Sequence, residues 1–294
     1  MSAQFTSSMF DSIKESLNKS QSQNAFKDIM RFKPGNSYEV RLLPNINDPA
    51  KTFHHYYTYG WESFATGQYI NVVSRQSIGE RDPISEAVYK LRQSGSADEK
   101  AKAEKVYRRE QWLVNAYVIN DPEESDNNDT CKVVRYGKQL HKVIFDAIEG
   151  EDSDQFGSRV FDLTENGSNF RIRCDKQGDY PTYVASKFLM PSAIEGLTPN
   201  SIEKIYQSVH ALDEMFEVKS YESLEETFNE HFHCKTTSAV VINSTLEENT
   251  QSDPDLEEEL DMSMSSPNLE TNETKNKEED IDIPTDLLKG LEDL

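Results

Sequence analysis

Short runs of β-branched and aromatic residues, separated by turn-forming sequences, constrain the fold of this chain more than any other feature. Sequences such as "NDP", "ENGSN" and "KQGDYP" stand between the runs and are typical of turns. The runs occupy residues 38–44, 68–73, 112–120, 131–136, 159–164 and 169–174. Five or six short strands at this spacing predict a small β-barrel.

Two regions replace the strand pattern with helical periodicity. Asp82 suits a helix N-cap and Pro83 suits the first helical position, and apolar residues follow at helical spacing as far as Leu91. A second apolar stripe after residue 198 predicts an amphipathic helix, and residues 223–232 predict another. The stripe consists of Ile202, Ile205, Tyr206, Val209, Leu212 and Phe216. The expected fold class is α+β and mainly β, a barrel core with a helical insertion and C-terminal helices.

Most of the formal net charge of −22 lies at the C-terminal end of the 294 residues. Residues 245–294 contain 17 Asp and Glu against three Lys, and they contain no Phe, Tyr or Trp. A segment of this composition cannot bury enough apolar surface to offset its ordering entropy, so we expect a disordered acidic tail. Leu287, Leu288, Leu291 and Leu294 recur near its end, which predicts either a short partner-docking helix or a frayed terminus.

Signals for catalysis, disulfides and membrane insertion are missing from the sequence. There is no Walker A loop and no G-x-S-x-G, H-E-x-x-H or C-x-x-C motif, so we expect no enzyme. Cys131, Cys174 and Cys234 are widely spaced, which favours a reducing compartment without disulfides. No apolar run approaches the ~18–20 residues of a membrane span, and the N-terminus lacks signal-peptide features. We therefore expect a soluble, cytosolic protein.

Histidines offer only weak candidates for a metal or catalytic site. The sequence "HFHC" places His231, His233 and Cys234 close together, but a metal site usually needs a fourth, convergent ligand. His54 and His55 lie in an aromatic run, and we interpret them as half-buried strand residues.

Basic residues interleaved with aromatic residues remain as the main functional signal. They occur at 100–112, 131–142 and 171–188. Single-stranded nucleic acid fits such groups because cations follow the phosphates while rings stack on unpaired bases. Each stretch alone also fits a structural interpretation, with tyrosines packed in strands and lysines solvated on helices. Three stretches in one barrel-like chain favour nucleic-acid binding.

The order of several sequence segments resembles a known family. "YEVRLLPNINDP", "WLVNAYVINDP", "VVRYGKQL", "NFRIRC" with "YVASKFL", and "SVHALDEMFEVKSYESLEETF" precede an acidic tail that ends in "DLLKGLEDL". This order is similar to that of the single-stranded DNA-binding proteins of T-even-like bacteriophages. The resemblance implies an oligonucleotide-binding (OB) fold, and it implies localisation in the cytoplasm of the infected bacterial host.

The resemblance also implies a division into three parts. Residues 1–24 would form an arm for self-association along DNA, 25–244 the DNA-binding core, and 245–294 an acidic tail that recruits phage replication and recombination proteins. The arm has few basic residues, Lys14 and Lys19, beside an apolar stripe. The stripe consists of Phe10, Ile13 and Leu17. Cooperative binding would then depend on hydrophobic docking.

Specific DNA and partner contacts follow from the resemblance together with the basic-aromatic stretches. The expected DNA-binding residues are Arg41, Tyr107, Arg108, Arg109, Trp112, Arg135, Tyr136, Lys138, Tyr180 and Tyr183. The expected partner-binding residues are Leu287, Leu288 and Leu291.

The sequence departs from the family at its zinc site. The resemblance implies a zinc ion held by one His and three Cys, and the counterparts of these ligands are Tyr59, Val73, Asp82 and Ser85. These residues offer no imidazole or thiolate, so we expect no cofactor. Apolar packing would replace the metal, and the residues expected to provide it are Trp61, Phe64, Tyr69 and Ile70.

The function expected from the sequence is non-enzymatic, sequence-independent and cooperative binding of single-stranded DNA in phage replication, recombination and repair. Net acidity outside a local cationic groove would limit adhesion to duplex DNA. Two alternatives remain open. An acidic protein could mimic nucleic acid and inhibit a DNA-handling enzyme, and a nuclease with a diffuse carboxylate site would need magnesium.

Overall fold

An antiparallel sheet of seven strands forms the centre of the protein in the computed structural model, which describes residues 27–178 and 180–235. The strands of the described part are β1 (Ser37–Leu43), β2 (Phe53–Glu62), β3 (Tyr69–Val73), β4 (Tyr107–Asn120), β5 (Cys131–Tyr136), β6 (Phe170–Arg173), β7 (Asp175–Gln177), β8 (Tyr180–Thr182) and β9 (Lys187–Phe188). Its helices are α1 (Pro83–Gln93), α2 (Ala97–Glu104), α3 (Lys138–Ile148), α4 (Pro199–Gln207) and α5 (Tyr221–His231). The α+β, mainly β class expected from the sequence is confirmed.

The long strand β4 organises the sheet. Its residues 107–114 pair with β2, and residues 115–120 pair with β1. β5 pairs with residues 112–117, which overlap both of these segments. Because a strand has only two edges, β2 and β1 must follow one another along one edge of β4 while β5 occupies the other. One strand thereby holds three neighbours in register.

The sheet is open, and the expected closed barrel is not observed in the described part. The strand order runs β3-β2-β4-β1-β6-β9, with β5 beside β4, while β7 and β8 form a separate hairpin. The free edge of β5 is covered by the chain before β1, since Val133 exchanges backbone hydrogen bonds with Asp28 and Met30. At this edge β5 therefore bonds to a short extended segment before β1, and it pairs with no further strand of the described part.

The helical insertion follows the sequence prediction closely. Asp82 accepts hydrogen bonds from the backbone N–H groups of Ile84 and Ser85, and Pro83 begins α1. The second C-terminal helix, predicted at 223–232, is also observed, as α5. These two helices pack over β2 and β3 around one apolar cluster, which contains Trp61, Val72, Ile84, Val88, Leu224 and Phe228.

Two sequence predictions about elements are wrong. The run 159–164 was expected as a strand, but Gly157–Phe161 is a 3-10 turn. The helix expected to continue to Phe216 ends at Gln207, and a separate 3-10 turn follows at Leu212–Glu214. Between them the side chain of Asn115 hydrogen-bonds both the backbone N–H and the backbone C=O of His210, which removes these groups from a helix.

The largest apolar cluster lies between the sheet and α3, a helix that the sequence analysis did not predict. It includes Val40, Val114, Val134, Leu140 and Ile144. This packing fixes α3 directly after β5 and beside β4. Among the described residues, no helix combines the length and apolar character that crossing a membrane requires.

Candidate nucleic-acid interface

Side chains alternate along β4, so consecutive residues of the basic-aromatic stretch lie on opposite faces of the sheet. Arg108, Glu110 and Trp112 share one face. On the neighbouring strand β2, Tyr57 lies opposite Glu110 and His55 lies opposite Trp112. The same face thus carries a cation, a carboxylate and several rings.

These rings form a continuous aromatic row that passes from β2 across β4 to α3. The row consists of Tyr57, His55, Trp112, His141 and Phe145. The ring centroids of Tyr57 and His55 are 4.8 Å apart, and those of His55 and Trp112 are 4.9 Å apart. His141 stacks on Trp112 at 3.9 Å, and Phe145 follows at 6.4 Å from His141. His55, Trp112 and His141 cover one another's faces, so an unpaired base can stack only on ring faces that the row leaves open to solvent.

Exposure differs strongly along the aromatic row. Phe145 is 50% exposed, whereas Trp112 is only 9% exposed because His141 covers it. Burial lowers the pKa of His141, so this ring is neutral at pH 7. The more accessible rings of the row are therefore His55 and Phe145, and Trp112 packs between His55 and His141.

Two cations flank the aromatic row. The guanidinium of Arg108 lies over the ring of Tyr57, 4.7 Å from its centroid, and Nη1 donates to Oε1 of Gln76 at 2.8 Å. Lys138, the first residue of α3, has a 60% exposed side chain whose Nζ lies 3.9 Å from Oε2 of Glu110. Both side chains are exposed beside the row, and cations in such positions suit anionic groups such as phosphates.

Arg109 lies on the opposite face of β4 and is buried. Its Nη1 donates to the Tyr69 hydroxyl at 2.6 Å, and its guanidinium lies over that ring. The absence of a side chain at Gly60 leaves room for this contact between Arg109 and Tyr69, because a Cβ at Gly60 would be 2.6 Å from Nη1 of Arg109. Tyr107 is half-buried and pairs with Gly60.

Arg135 and Tyr136 also lie on opposite faces. Arg135 pairs with Leu113, so it lies on the face away from the aromatic row. Tyr136 pairs with Trp112 but is only 1% exposed and belongs to the main core. In this conformation its ring is not accessible to a base.

Arg41 is fully buried, and hydrogen bonds inside the protein hold its guanidinium. Its guanidinium donates to Asn169 Oδ1 and to the backbone oxygens of Asp162, Thr164 and Ser192. Burial lowers its pKa to about 10. Contact with a phosphate would require the side chain to leave these four partners.

Tyr180 and Tyr183 belong to the region of the β7–β8 hairpin, close to α3. Gln139 Oε1 accepts a hydrogen bond from the backbone N–H of Tyr183 at 2.7 Å, which connects this region to the start of α3. Tyr180 is half-buried. The Tyr183 ring is buried and contacts Phe32 edge-on. Of this pair, Tyr180 is the more accessible.

The donor set at the counterparts of the zinc ligands does not fit a zinc ion. Val73 has no donor atom, and both oxygens of Asp82 already accept hydrogen bonds, from Ile84, Ser85, Ser74 and Arg75. The Tyr59 hydroxyl is buried, which raises its pKa and keeps it protonated.

Apolar packing at this region differs in part from the prediction. Trp61 is fully buried and Ile70 packs against the same cluster. Phe64 and Tyr69 are 36% and 43% exposed; Phe64 follows β2 and contacts Phe232, and the Tyr69 hydroxyl accepts a hydrogen bond from Arg109. Leu224 and Phe228 of α5 complete the cluster in their place.

The "HFHC" residues do not converge. His231 Nδ1 contacts Ser63 Oγ at 3.1 Å, whereas His233 lies edge-on to Phe228 and Cys234 is exposed. Among residues 27–178 and 180–235, no group of three His, Cys, Asp or Glu side chains could hold a metal ion.

Sequence reasoning missed part of the aromatic row. Tyr57, Glu110, His141 and Phe145 were not predicted as site residues, and His55 was interpreted only as a strand residue. Alternation along 53–62 and the four-residue spacing of His141 and Phe145 are the signals that place them together. The predicted arm and tail residues lie outside the described residues.

Comparisons with known proteins agree with the resemblance drawn from the sequence. The "Single-stranded DNA-binding protein" of Enterobacteria phage T4 is 24% identical over 190 residues, which are 64% of this chain and 62% of that protein. The protein of the same name from Enterobacteria phage T2 is 24% identical over 204 residues, 68% of this chain and 66% of that protein. Each match thus spans slightly less than two thirds of the relative.

A family model provides the wider match. The model described as "gp32 DNA binding protein like" matches residues 33–233, which include the whole sheet, the aromatic row and all five helices. This segment is more than half of the chain. The chain belongs to the gp32-like family of DNA-binding proteins.

Proposed function

We propose that the protein binds single-stranded DNA without sequence preference and that the aromatic row is its base-stacking surface. The observation that carries this proposal is the combination of exposed rings with flanking cations on one face of the sheet, at Arg108 and Lys138. Stacking is tolerant of sequence because every base has a π-face. The names of the T4 and T2 relatives support the same activity.

The proposal includes the finer expectations for the family. We infer that the open antiparallel sheet is a divergent OB fold, a class of fold that binds single strands with aromatic and cationic residues. The three-part division at 1–24, 25–244 and 245–294 belongs to the same proposal. So do cooperative self-association, a non-enzymatic role in phage replication, recombination and repair, and partner recruitment through Leu287, Leu288 and Leu291.

We also propose that the core folds without zinc. The donor set at Tyr59, Val73, Asp82 and Ser85 supports this, because Asp82 is committed to its N-cap and to Ser74. The apolar cluster around Trp61 then supplies the stability that a structural metal would give.

Titration of the full chain with oligo-dT and with duplex of equal length tests the proposed function. Of the two tryptophans, Trp112 lies within the row and Trp61 lies outside it in the apolar cluster, so a change in intrinsic fluorescence on DNA addition is assigned to Trp112. We expect tighter binding of oligo-dT, with log K falling with log salt by about 0.7 per phosphate contacted. Binding of neither DNA would favour the nucleic-acid mimic, and magnesium-dependent cleavage would favour the nuclease.

A further inference from the structure

The carboxylate of Glu110 lies between the cations and rings of the proposed DNA surface. Its Oε1 is 2.8 Å from Nε2 of His55 and 3.5 Å from the Tyr57 hydroxyl, which donates to it. Its Oε2 is 3.9 Å from Nζ of Lys138. The side chain is 29% exposed, so DNA can approach it from solvent.

Stability alone does not explain a carboxylate at this position. The ammonium of Lys138 lies 3.9 Å away on a side chain that is 60% exposed, and ion pairs in such surroundings contribute little to folding. A negative charge here also repels the phosphates of any strand that stacks on the aromatic row.

The groups around Glu110 are those that proteins use to bind phosphate. An ammonium, a phenol hydroxyl and an imidazole converge on its two oxygens, and each can donate to a phosphate oxygen. A carboxylate and a phosphodiester also present similar pairs of anionic oxygens.

We propose that Lys138, Tyr57 and His55 form a phosphodiester subsite, which the Glu110 carboxylate occupies in the free protein and leaves when single-stranded DNA binds. This inference rests on the proposed function and assigns one phosphate position within it. Anions must then compete with a carboxylate that is held in place by β4. The subsite opens only for a ligand that gains stacking on the aromatic row as well as charge pairing.

Glu110→Gln in the full chain tests the subsite, because the amide keeps the shape of the side chain and removes its charge. We expect oligo-dT affinity at about 50 mM salt to rise roughly threefold to tenfold, and the salt slope to steepen by up to about 0.7 as Lys138 becomes free for a phosphate. Glu203→Gln, an exposed position on α4, is the matched control for a general loss of negative charge.

A double variant shows whether the gain in oligo-dT affinity depends on Lys138. In a Lys138→Ala background, Glu110→Gln should raise the affinity much less, because only the direct repulsion between the carboxylate and the phosphates is then removed. An equal gain from Glu203→Gln, or the same gain without Lys138, would overturn the subsite. A loss of affinity relative to the unaltered protein that Glu110→Gln shows for oligo-dA or oligo-dC but not for oligo-dT would also overturn it and assign Glu110 to base edges. Failure of the unaltered protein to bind oligo-dT would instead refute the proposed function.

Discussion

At the residue scale, Tyr136 shows that one side chain of a basic-aromatic stretch can belong to the core. Its hydroxyl is buried and has no hydrogen-bond partner among the described residues. Burial raises its pKa, since the phenolate would be desolvated. An unpaired buried hydroxyl is unfavourable for folding.

Tyr136→Phe removes this hydroxyl and keeps the ring. We expect the free energy of unfolding to rise by roughly 1 kcal/mol, because the desolvation cost disappears. Oligo-dT affinity should not change, since the ring is not accessible. Urea denaturation and DNA titration of the variant measure the two quantities. Weaker DNA binding at unchanged stability would mean that the hydroxyl contacts DNA.

At the element scale, Asn115 explains why α4 ends where it does. This side chain is 1% exposed, and it accepts from the His210 N–H at 2.9 Å and donates to the His210 C=O at 3.0 Å. The two bonds attach the segment after α4 to β4. They also prevent the apolar stripe from continuing as one helix to Phe216.

Asn115→Ala should lower the free energy of unfolding by about 2 kcal/mol, because two backbone groups lose their partners. Asn166→Ala, on an exposed turn, is the matched control and should change stability little. Chemical denaturation of both variants gives the comparison. Equal stability of the two variants would show that His210 finds other partners.

Elements with local signals were predictable from the sequence, and those fixed by distant contacts were not. The N-cap of Asp82 and the start of α1 follow from neighbouring residues. Arg41 was expected to contact DNA because of the family resemblance, whereas its burial depends on Asn169 and Ser192, far along the chain. Helix α3 was missed because Lys138 and its basic neighbours were interpreted for their charge before their helical spacing.

The candidate site was also predicted only in part, because it depends on contacts between residues that are far apart in the sequence. Charge and aromatic content identified the stretches that contain Arg108, Trp112 and Lys138. They did not identify which face each residue occupies, since strand alternation separates Arg108 from Arg109. Strand β2 adds Tyr57 and His55 to the site only because of its register with β4. Pairing between residues that are far apart in the sequence sets this register, so the sequence pattern did not reveal it.

At the scale of the whole molecule, residues 245–294 are acidic, whereas Arg108 and Lys138 give the proposed DNA surface its cations. A tail with net charge −14 that is tethered to the core can reach an effective concentration of roughly millimolar at that surface. It should compete with phosphates, and more effectively against duplex DNA, which offers no unpaired bases for stacking.

A protein truncated after Ser244 should therefore bind both DNA forms more tightly at about 50 mM salt, with the larger gain for duplex. The difference should shrink at about 300 mM salt because both charges are screened. Recruitment of partner proteins through Leu287, Leu288 and Leu291 should be lost. Fluorescence titrations of full and truncated chains measure the affinities. Equal affinities at low salt would leave the tail without a role at the DNA surface.

The most direct test of the account compares two exposed aromatic residues. Phe145 of the aromatic row is 50% exposed, and Tyr89 on α1 is 66% exposed but lies outside the row. Phe145→Ala should weaken oligo-dT binding about tenfold with an unchanged salt slope, because stacking is lost while no phosphate contact changes. Tyr89→Ala should bind oligo-dT like the unaltered protein. Normal binding by a folded Phe145→Ala variant would contradict the claim that single-stranded DNA stacks on this row.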